Sequence, residues 1–309
     1  MGEGSRAGQV RHIMLKVEID SHSGFCGGVI RAIGTAEKYL SEHHGRLCSL
    51  GAIVHNDEEL SRLRSLGLVT VGSLEEAVRE SPDGTPVLIR AHGEPPEVYR
   101  RAAQAGISLI DCTCPVVLRL QKAIKEAYSR VSPRGGSIVI FGKTGHPEVL
   151  GLVGQVPGSV YVVPDLESTV RLVESGSIAP GSPVELFSQT TMSPTGYGRV
   201  AGYLRSVVSD GELLVHSSIC SQVEGRHRQL AEFASGHDVI VFVAGSTSSN
   251  GKVLSDLCRS VNPATYRVGS ASDLDPAWFP QGCSVGVCGA TSTPKWLLEN
   301  VAHAIENLQ

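Results

Sequence analysis

The sequence contains no pair of cysteines in a C-x-x-C arrangement, although it has eight cysteines in 309 residues. Zinc knuckles and thioredoxin-type redox sites place two cysteines two residues apart, so the sequence excludes both. Eight cysteines are also too sparse for a disulfide-stapled scaffold of this length. The cysteines are therefore predicted to be thiols or metal thiolates.

Long apolar runs and an excess of positive charge are also missing. No run reaches the roughly 18 residues of a membrane span, and the opening residues 1–12 lack the apolar stretch of a signal peptide. The formal net charge of −4 argues against a broad nucleic-acid surface. We predict a cytoplasmic protein with neither membrane nor nucleic-acid partners, in which residues 1–12 form a flexible tail.

Short apolar runs such as SIVIF (137–141) alternate with segments of helical periodicity such as 115–131. Continuous apolarity is typical of strands buried on both faces, so about twelve such runs predict an α/β fold with mainly parallel sheets. We expect three small α/β lobes around a common centre. The predicted divisions are 27–113 for the first lobe, 114–216 for the second, and 13–26 with 217–309 for a discontinuous third.

Three cysteines lie in Gly, Pro or polar turns about one third of the chain apart: Cys26, Cys114 and Cys220. This distribution suggests one shared central site. Three thiolates leave a metal centre one ligand short, and a substrate could bind at that position. The other five cysteines lie in or beside apolar stretches and are predicted to be small buried hydrophobes.

Polar groups stand at the ends of several predicted strands. His55 and His92 each follow an apolar run, and His146 with Glu148 lies in a glycine-rich turn after 137–141. Histidines at such positions could simply cap helices, or they could donate hydrogen bonds to a bound oxyanion. Glu148 could hold a proton in a closed site, and Thr190 could cap a helix or act as a hydroxyl relay.

Two serine-rich turns, GSTSSNGK (245–252) and GATSTPK (289–295), are suited to hold an anion. Hydroxyls and free amides at helix starts bind anions without many lysines or arginines. Neither turn matches a Walker A loop or a G-x-G-x-x-G fingerprint, so nucleotide binding is not supported.

A series of short motifs covers residues 24–294. In chain order they are GFCGGVIRAI, GAIVHN, RAHGEPP, DCTCPVV, GKTGHPEV, QTTMS, ICSQ, SSNGK and GATSTP. This ordered series resembles that of the 4-hydroxy-3-methylbut-2-enyl diphosphate reductases, the IspH/LytB family. The resemblance implies a trefoil-like arrangement of three lobes around an oxygen-sensitive iron–sulfur cluster. It also implies reductive removal of an allylic hydroxyl, with two electrons and two protons, in the last step of the non-mevalonate isoprenoid pathway.

The resemblance also implies residue roles. Cys26, Cys114 and Cys220 would hold one [4Fe-4S] cluster whose fourth iron is open to substrate, and Cys114 is preferred over Cys112 because it directly precedes the proline. Glu148 would be the proton donor, with Thr190 beside it. The residues implied to hold the diphosphate are His55, His92, His146, Thr190, Ser248, Ser249, Asn250 and Ser292.

An external electron donor, ferredoxin or flavodoxin, is implied because no flavin motif or second cluster motif is present. Two departures from the family pattern are Lys143, where a second histidine is common, and Gly225, where an asparagine is common. The alternatives are an iron–sulfur dehydratase, which would need no reductant, a non-catalytic iron–sulfur sensor, which would need no diphosphate pocket, and a zinc hydrolase.

Overall fold

A computed structural model describes residues 15–43, 45–80, 84–158, 160–178, 181–209 and 211–308. The predicted flexible tail at 1–12 lies outside these residues. The strands are β1 Lys16–Ile19, β2 Leu47–Leu50, β3 Leu68–Val71, β4 Val87–Ile89, β5 Leu109–Asp111, β6 Ser137–Phe141, β7 Val160–Val163, β8 Val184–Ser188, β9 Leu213–Val215, β10 Val239–Val243, β11 Thr265–Val268 and β12 Ser284–Gly289. The helices are α1 Gly27–His43, α2 Asp57–Ser65, α3 Leu74–Glu80, α4 Pro96–Gln104, α5 Pro115–Val131, α6 Pro147–Val153, α7 Leu166–Glu174, α8 Pro194–Val207, α9 Ser221–Ser235, α10 Ser249–Val261 and α11 Lys295–Glu306.

The described strands form three four-stranded sheets, and every pairing within them is parallel. The orders are β3-β2-β4-β5, β7-β6-β8-β9 and β11-β10-β12-β1. The predicted α/β class, the parallel sheets and the three lobes are therefore confirmed. Strands such as β6 and β10 are buried along their whole length, because helices cover both faces of each sheet.

The three sheets share one strand order. Within each lobe we number the strands from first to fourth: β2 to β5 in the first lobe, β6 to β9 in the second, and β10, β11, β12 and β1 in the third. In these numbers every sheet has the order second, first, third, fourth. This places β1 in the same sheet as β10, β11 and β12, and within it Val17 pairs with Val285. The exact divisions between lobes stay a prediction.

Each lobe has its own hydrophobic core on the faces of its sheet. Phe187 and Phe242 are among the largest fully buried side chains. Cys48, Cys112, Cys258, Cys283 and Cys288 are all buried, as predicted for small apolar residues. No helix in the described part of the chain is long and apolar enough to cross a membrane.

Candidate functional site

The shared strand order explains where the polar turns meet. In parallel α/β sheets, ligands bind beyond the carboxyl ends of the strands, where the order reverses, and here that point lies between the first and third strands of each lobe. The turns after the first strands carry His55, His146 and Ser248, those after the third strands carry His92, Thr190 and Ser292, and those after the fourth strands carry Cys26, Cys114 and Cys220. All nine residues line a single central cavity.

The three cysteines occupy equivalent positions in the three lobes. Each immediately precedes the first residue of a helix, namely α1, α5 or α9. Each also donates its backbone N–H to the turn after the third strand of its own sheet: Cys26 to Thr291 O at 3.3 Å, Cys114 to Ala91 O at 3.0 Å and Cys220 to Thr190 O at 2.9 Å. The helix N-termini favour thiolates and any negatively charged group that the thiolates hold.

The side chains of the three cysteines are close enough to influence one another. Burial raises the pKa of the Cys26 thiol, and Cys114 and Cys220 raise it further because like charges repel. Three thiolates this close together repel one another unless a bound cation offsets their charge. The arrangement therefore fits a cationic group that would take all three as thiolates.

The spacing of the sulfurs argues against one small ion as that group. Among the described residues, the three thiols do not form a set close enough for one ion, whereas the three imidazoles do. A Cβ at Gly28 would lie 3.1 Å from the Cys114 sulfur, so the chain leaves space on the cavity side of this thiol. Wider separation and open space suit a polynuclear cluster better than a single zinc ion, which binds sulfur at about 2.3 Å.

A valine follows each of these cysteines by three residues: Val29, Val117 and Val223. All three valines line the cavity. A side chain at the third helical position leans back over the N-terminus, so each valine lies beside its cysteine. Sequence reasoning missed this C-x-x-V repeat, although it can be read directly from the chain. With Ile53 and Val54, the valines give the cavity an apolar part beside the thiols.

His55, His92 and His146 form a compact group on another side of the cavity. Their ring centroids are 5.1, 5.7 and 5.3 Å apart, and one ring nitrogen of each lies within 4.8 Å of those of the other two. His55 Nε2 and His92 Nδ1 are buried and have no hydrogen-bond partner. Unsatisfied buried nitrogens in a cavity indicate a polar ligand.

The hydrogen bond at His146 indicates what kind of ligand this is. His146 Nδ1 accepts the backbone N–H of Glu148 at 3.2 Å as the N-cap of α6, so the neutral ring carries its proton on Nε2. A nitrogen that carries a proton donates to an anion and does not ligate a metal. The group therefore fits an oxyanion better than a metal ion.

Burial favours the neutral form of all three imidazoles. Burial lowers the pKa of His146 to about 4, and nearby positive groups act in the same direction. Burial also lowers the pKa of His55 and, strongly, that of His92, with Arg90 the next cause for both. The histidines thus offer N–H donors without being charged before a ligand arrives.

Arg90 lies behind the imidazoles, a role that sequence reasoning missed. Its guanidinium is largely buried, donates to Ala52 O at 3.3 Å and lies 3.6 Å from Glu94. Gly51 has φ of +73°, and a Cβ there would overlap the guanidinium. The glycine thus allows Arg90 to support the turn that carries His55. The only sequence signal was the position of Arg90, two residues before His92.

Glu148 and Thr190, which follow neighbouring strands of the second lobe, are joined by two hydrogen bonds at the cavity wall. Thr190 donates its backbone N–H to Glu148 Oε1 at 2.7 Å and its hydroxyl to Oε2 at 2.8 Å. Burial raises the pKa of Glu148 to about 7, although both hydrogen bonds from Thr190 act in the opposite direction. A carboxyl of this pKa can both hold and release a proton near neutral pH.

The serine turns complete the polar wall. Ser248 caps α10 by accepting Gly251 N–H at 3.0 Å, and its hydroxyl lies 3.1 Å from that of Ser292. Asn250 donates to Thr291 Oγ1 at 2.7 Å, whereas its Oδ1 is buried without a partner. Thr291 also lines the cavity, although only its neighbour Ser292 was predicted. The side chain of Ser249 lies outside what the structure describes.

The fold and the cavity together define a three-lobed α/β protein with three thiols, three imidazoles and a buried carboxyl at its centre. The sequence model described as LytB protein matches residues 17–306. This match spans most of the chain, so the chain belongs to the LytB family.

Curated relatives are similar to this chain over nearly its whole length. A protein of Bacteroides fragilis strain YCH46, named 4-hydroxy-3-methylbut-2-enyl diphosphate reductase, is 46% identical and covers 95% of this chain and 98% of its own. A protein of the same name from Porphyromonas gingivalis is 44% identical and covers 96% of this chain and 100% of its own.

Two solved structures are also similar. One, of (E)-4-hydroxy-3-methyl-but-2-enyl diphosphate reductase, described as the terminal enzyme of the non-mevalonate pathway, is 34% identical with a TM-score of 0.66 and covers 95% of this chain and 99% of its own. The other, of the E-1-hydroxy-2-methyl-but-2-enyl-4-diphosphate reductase from Plasmodium falciparum, is 24% identical with a TM-score of 0.81 and covers 94% and 87%. The second likeness concerns the fold alone.

Proposed function

We propose that this chain is a 4-hydroxy-3-methylbut-2-enyl diphosphate reductase. The reaction replaces the allylic C–OH bond by C–H, consumes two electrons and two protons, releases water, and gives isopentenyl and dimethylallyl diphosphates. The observation that carries the proposal is that three thiols, a set of apolar side chains and a group of anion-binding side chains line one cavity. A short carbon chain with a hydroxyl at one end and a diphosphate at the other has a group for each of these three kinds of lining.

Cys26, Cys114 and Cys220 would hold a [4Fe-4S] cluster, with the fourth iron open to substrate. When bound, this cluster would supply the two electrons in successive steps and a Lewis acid for the departing hydroxyl. The three helix N-termini would offset its negative charge. The C-x-x-V valines would exclude water from its cavity side, since each lies beside one of the thiols.

His55, His92 and His146 would bind the diphosphate together with Ser248, Asn250 and Ser292, and Ser249 is included from the sequence alone. The imidazoles and hydroxyls donate hydrogen bonds, and the N-terminus of α10 adds its positive dipole. Arg90 lies behind the imidazoles and adds a positive charge that does not depend on pH. Anchoring the diphosphate would fix the carbon chain across the apolar part of the cavity.

Glu148 would deliver protons to the leaving oxygen. The closed site raises its pKa to about 7, so the protonated form is available near neutral pH. Thr190 would orient this carboxyl through its two hydrogen bonds. Protonation allows oxygen to leave as water, which is a much better leaving group than hydroxide.

The test is an anaerobic assay of the reconstituted protein with reduced methyl viologen and the hydroxymethylbutenyl diphosphate. We expect two viologen radicals to be oxidised for each product molecule, and Mössbauer spectra in which substrate changes the signal of one iron only. Turnover without consumption of viologen would instead indicate a dehydratase. Zinc in place of iron in protein purified without oxygen would indicate a hydrolase.

A further inference from the structure

Each lobe places the helix that follows one cysteine beside the turn that carries another. Gly28, at the start of α1, approaches Cys114, and α9, which follows Cys220, contacts the turn that leads to Cys26. In the same way, α5, which follows Cys114, lies opposite the turn 216–221, which contains Cys220. The three lobes can therefore be compared at equivalent points.

On two of these helices, α1 and α9, an arginine donates a hydrogen bond to the neighbouring cysteine-bearing turn. Arg31, five residues after Cys26, donates from Nη2 to Thr113 O at 2.8 Å. Arg226, six residues after Cys220, donates from Nη2 to Ser23 Oγ at 2.6 Å. The same Nη2 lies 2.9 Å from Gly289 O and 3.1 Å from the carboxylate of Asp20, and both side chains of this ion pair are only 5% exposed.

The second lobe has an arginine at the equivalent position that makes no such contact. Arg119 lies five residues after Cys114, is exposed, and has no hydrogen-bond or ion-pair partner among the residues that the structure describes. It lines an open groove between α5 and the turn 216–221. Cys220 lines both this groove and the central cavity. The groove is therefore a path from the protein surface to a proposed cluster ligand.

The turn in this lobe is held from its opposite side. Tyr197 Oη donates to His216 O at 2.7 Å, and Ser188 N–H donates to Ser218 Oγ at 2.6 Å. His216 Nε2 lies 2.7 Å from Glu185, which also binds Arg130. These contacts with α8 and β8 fix the turn, so Arg119 is not needed to keep it in place.

We propose that this groove is the docking site of the external electron donor, a small acidic carrier protein of the ferredoxin type, with a partner carboxylate on Arg119. The proposal rests on the proposed function above. Arg119 would make with the partner the kind of polar contact that Arg31 and Arg226 make internally. Among the other charged or titratable groups of the groove, His216 is already paired, and Glu224 makes the wall formed by α9 acidic.

Two further features favour docking at this place, the first of them for an acidic partner. The N-termini of α5 and α9 both lie at the groove and present positive dipole ends. Leu118, 44% exposed, lies next to Arg119 and offers apolar contact area. Each docking event would transfer one electron from the reduced carrier, which leaves oxidised, so two events supply the two electrons of the reaction.

The test compares Arg119→Glu with Lys125→Glu in the cluster-loaded protein. Lys125 lies on the same helix, is exposed and does not line the groove. Binding of oxidised plant-type ferredoxin is measured by calorimetry, and turnover is measured with reduced ferredoxin and, separately, with reduced methyl viologen. We expect Arg119→Glu to weaken ferredoxin binding about tenfold or more, because it places like charges together. Viologen-driven turnover should stay at the parent level, and Lys125→Glu should change neither quantity appreciably.

Several results would overturn the docking site. One is that Arg119→Glu binds ferredoxin as the parent protein does, or that Lys125→Glu loses as much ferredoxin binding as Arg119→Glu. Another is that the parent protein itself does not bind ferredoxin. A third is that Arg119→Glu loses as much turnover with viologen as it loses with ferredoxin. An equal loss of turnover with both donors would mean that Arg119 acts on the active site itself. Failure of the parent protein to reduce the substrate with viologen would instead refute the proposed function.

Discussion

The buried carboxyl of Glu148 gives the sharpest test of the mechanism, through the substitution Glu148→Gln. Glutamine has the same shape, its Oε1 can accept the N–H of Thr190, and its amide can donate to the Thr190 hydroxyl. It cannot deliver a proton. Loss of a general acid typically costs 10²–10⁴-fold in rate, so we expect kcat to fall by about that factor while KM changes little.

The same substitution should change stability in a direction set by the pKa. Burial raises the pKa of Glu148 from 4.5 to about 7, which corresponds to about 3 kcal/mol. Below pH 4.5 the carboxyl is protonated in the folded and the unfolded chain, so its burial carries no ionisation penalty. As pH rises toward 7 only the unfolded chain loses the proton, and the penalty becomes complete above the folded pKa. The Glu148→Gln substitution removes this ionisation penalty.

Two assays check these expectations. Viologen-driven kinetics should show kcat of the parent protein falling as pH rises through about 7, because only the protonated carboxyl donates. Urea unfolding should show Glu148→Gln more stable than the parent at pH 8 by up to about 3 kcal/mol, with no such advantage near pH 4.5.

Thr190→Val serves as the matched variant. It keeps Glu148 and the backbone N–H but removes the hydroxyl that lowers the pKa of the carboxyl. The falling limb of the pH profile should therefore move to higher pH. A Glu148→Gln protein that keeps a tenth or more of the parent kcat, or a Thr190→Val profile that moves to lower pH, would refute the proton-donor role.

Two further predictions concern the thiols and the buried ion pair. Cys114→Ser should abolish the iron–sulfur charge-transfer absorption, whereas Cys112→Ser, in the core of the first lobe, should retain it; equal spectra would contradict the ligand assignment. Arg226→Met should cost about 3–5 kcal/mol in urea unfolding, because it removes the buried cation that faces the buried carboxylate of Asp20, and adding Asp20→Asn should recover most of that loss. Additive losses in the double variant would argue against direct coupling of the two charges.

The second lobe illustrates how much local sequence could predict. Continuous apolar runs predicted strands buried on both faces, and 137–141 and 184–187 correspond to β6 and β8. Pro115 predicted the start of α5, because proline fits the first turn of a helix. The polar turns could be recognised because they follow these strands. Such features depend on residues close together in the chain, and the sequence carries them directly.

Other features depend on contacts between distant segments. The raised pKa of Glu148 requires burial and a partner 42 residues away, and Arg90 gains its place behind the imidazoles only when the turn containing Gly51 packs on it. The choice between an anion and a metal for the histidines depended on one hydrogen bond, from Glu148 N–H to His146. Residue type alone cannot specify these environments.

The sequence by itself thus determined the fold class, the three cysteines set far apart and, through the C-x-x-V repeat, the local environment that each cysteine brings with it. Only the tertiary structure decided the strand order of each sheet and the register in which β1 pairs with β12, which together bring Cys26 to the same centre as Cys114 and Cys220. It also decided that Arg119, unlike Arg31 and Arg226, lies at an open groove without a partner among the described residues. The physical reason is that strand pairing joins residues as much as 268 positions apart, as Val17 and Val285 are joined, and local propensity carries no information at that range.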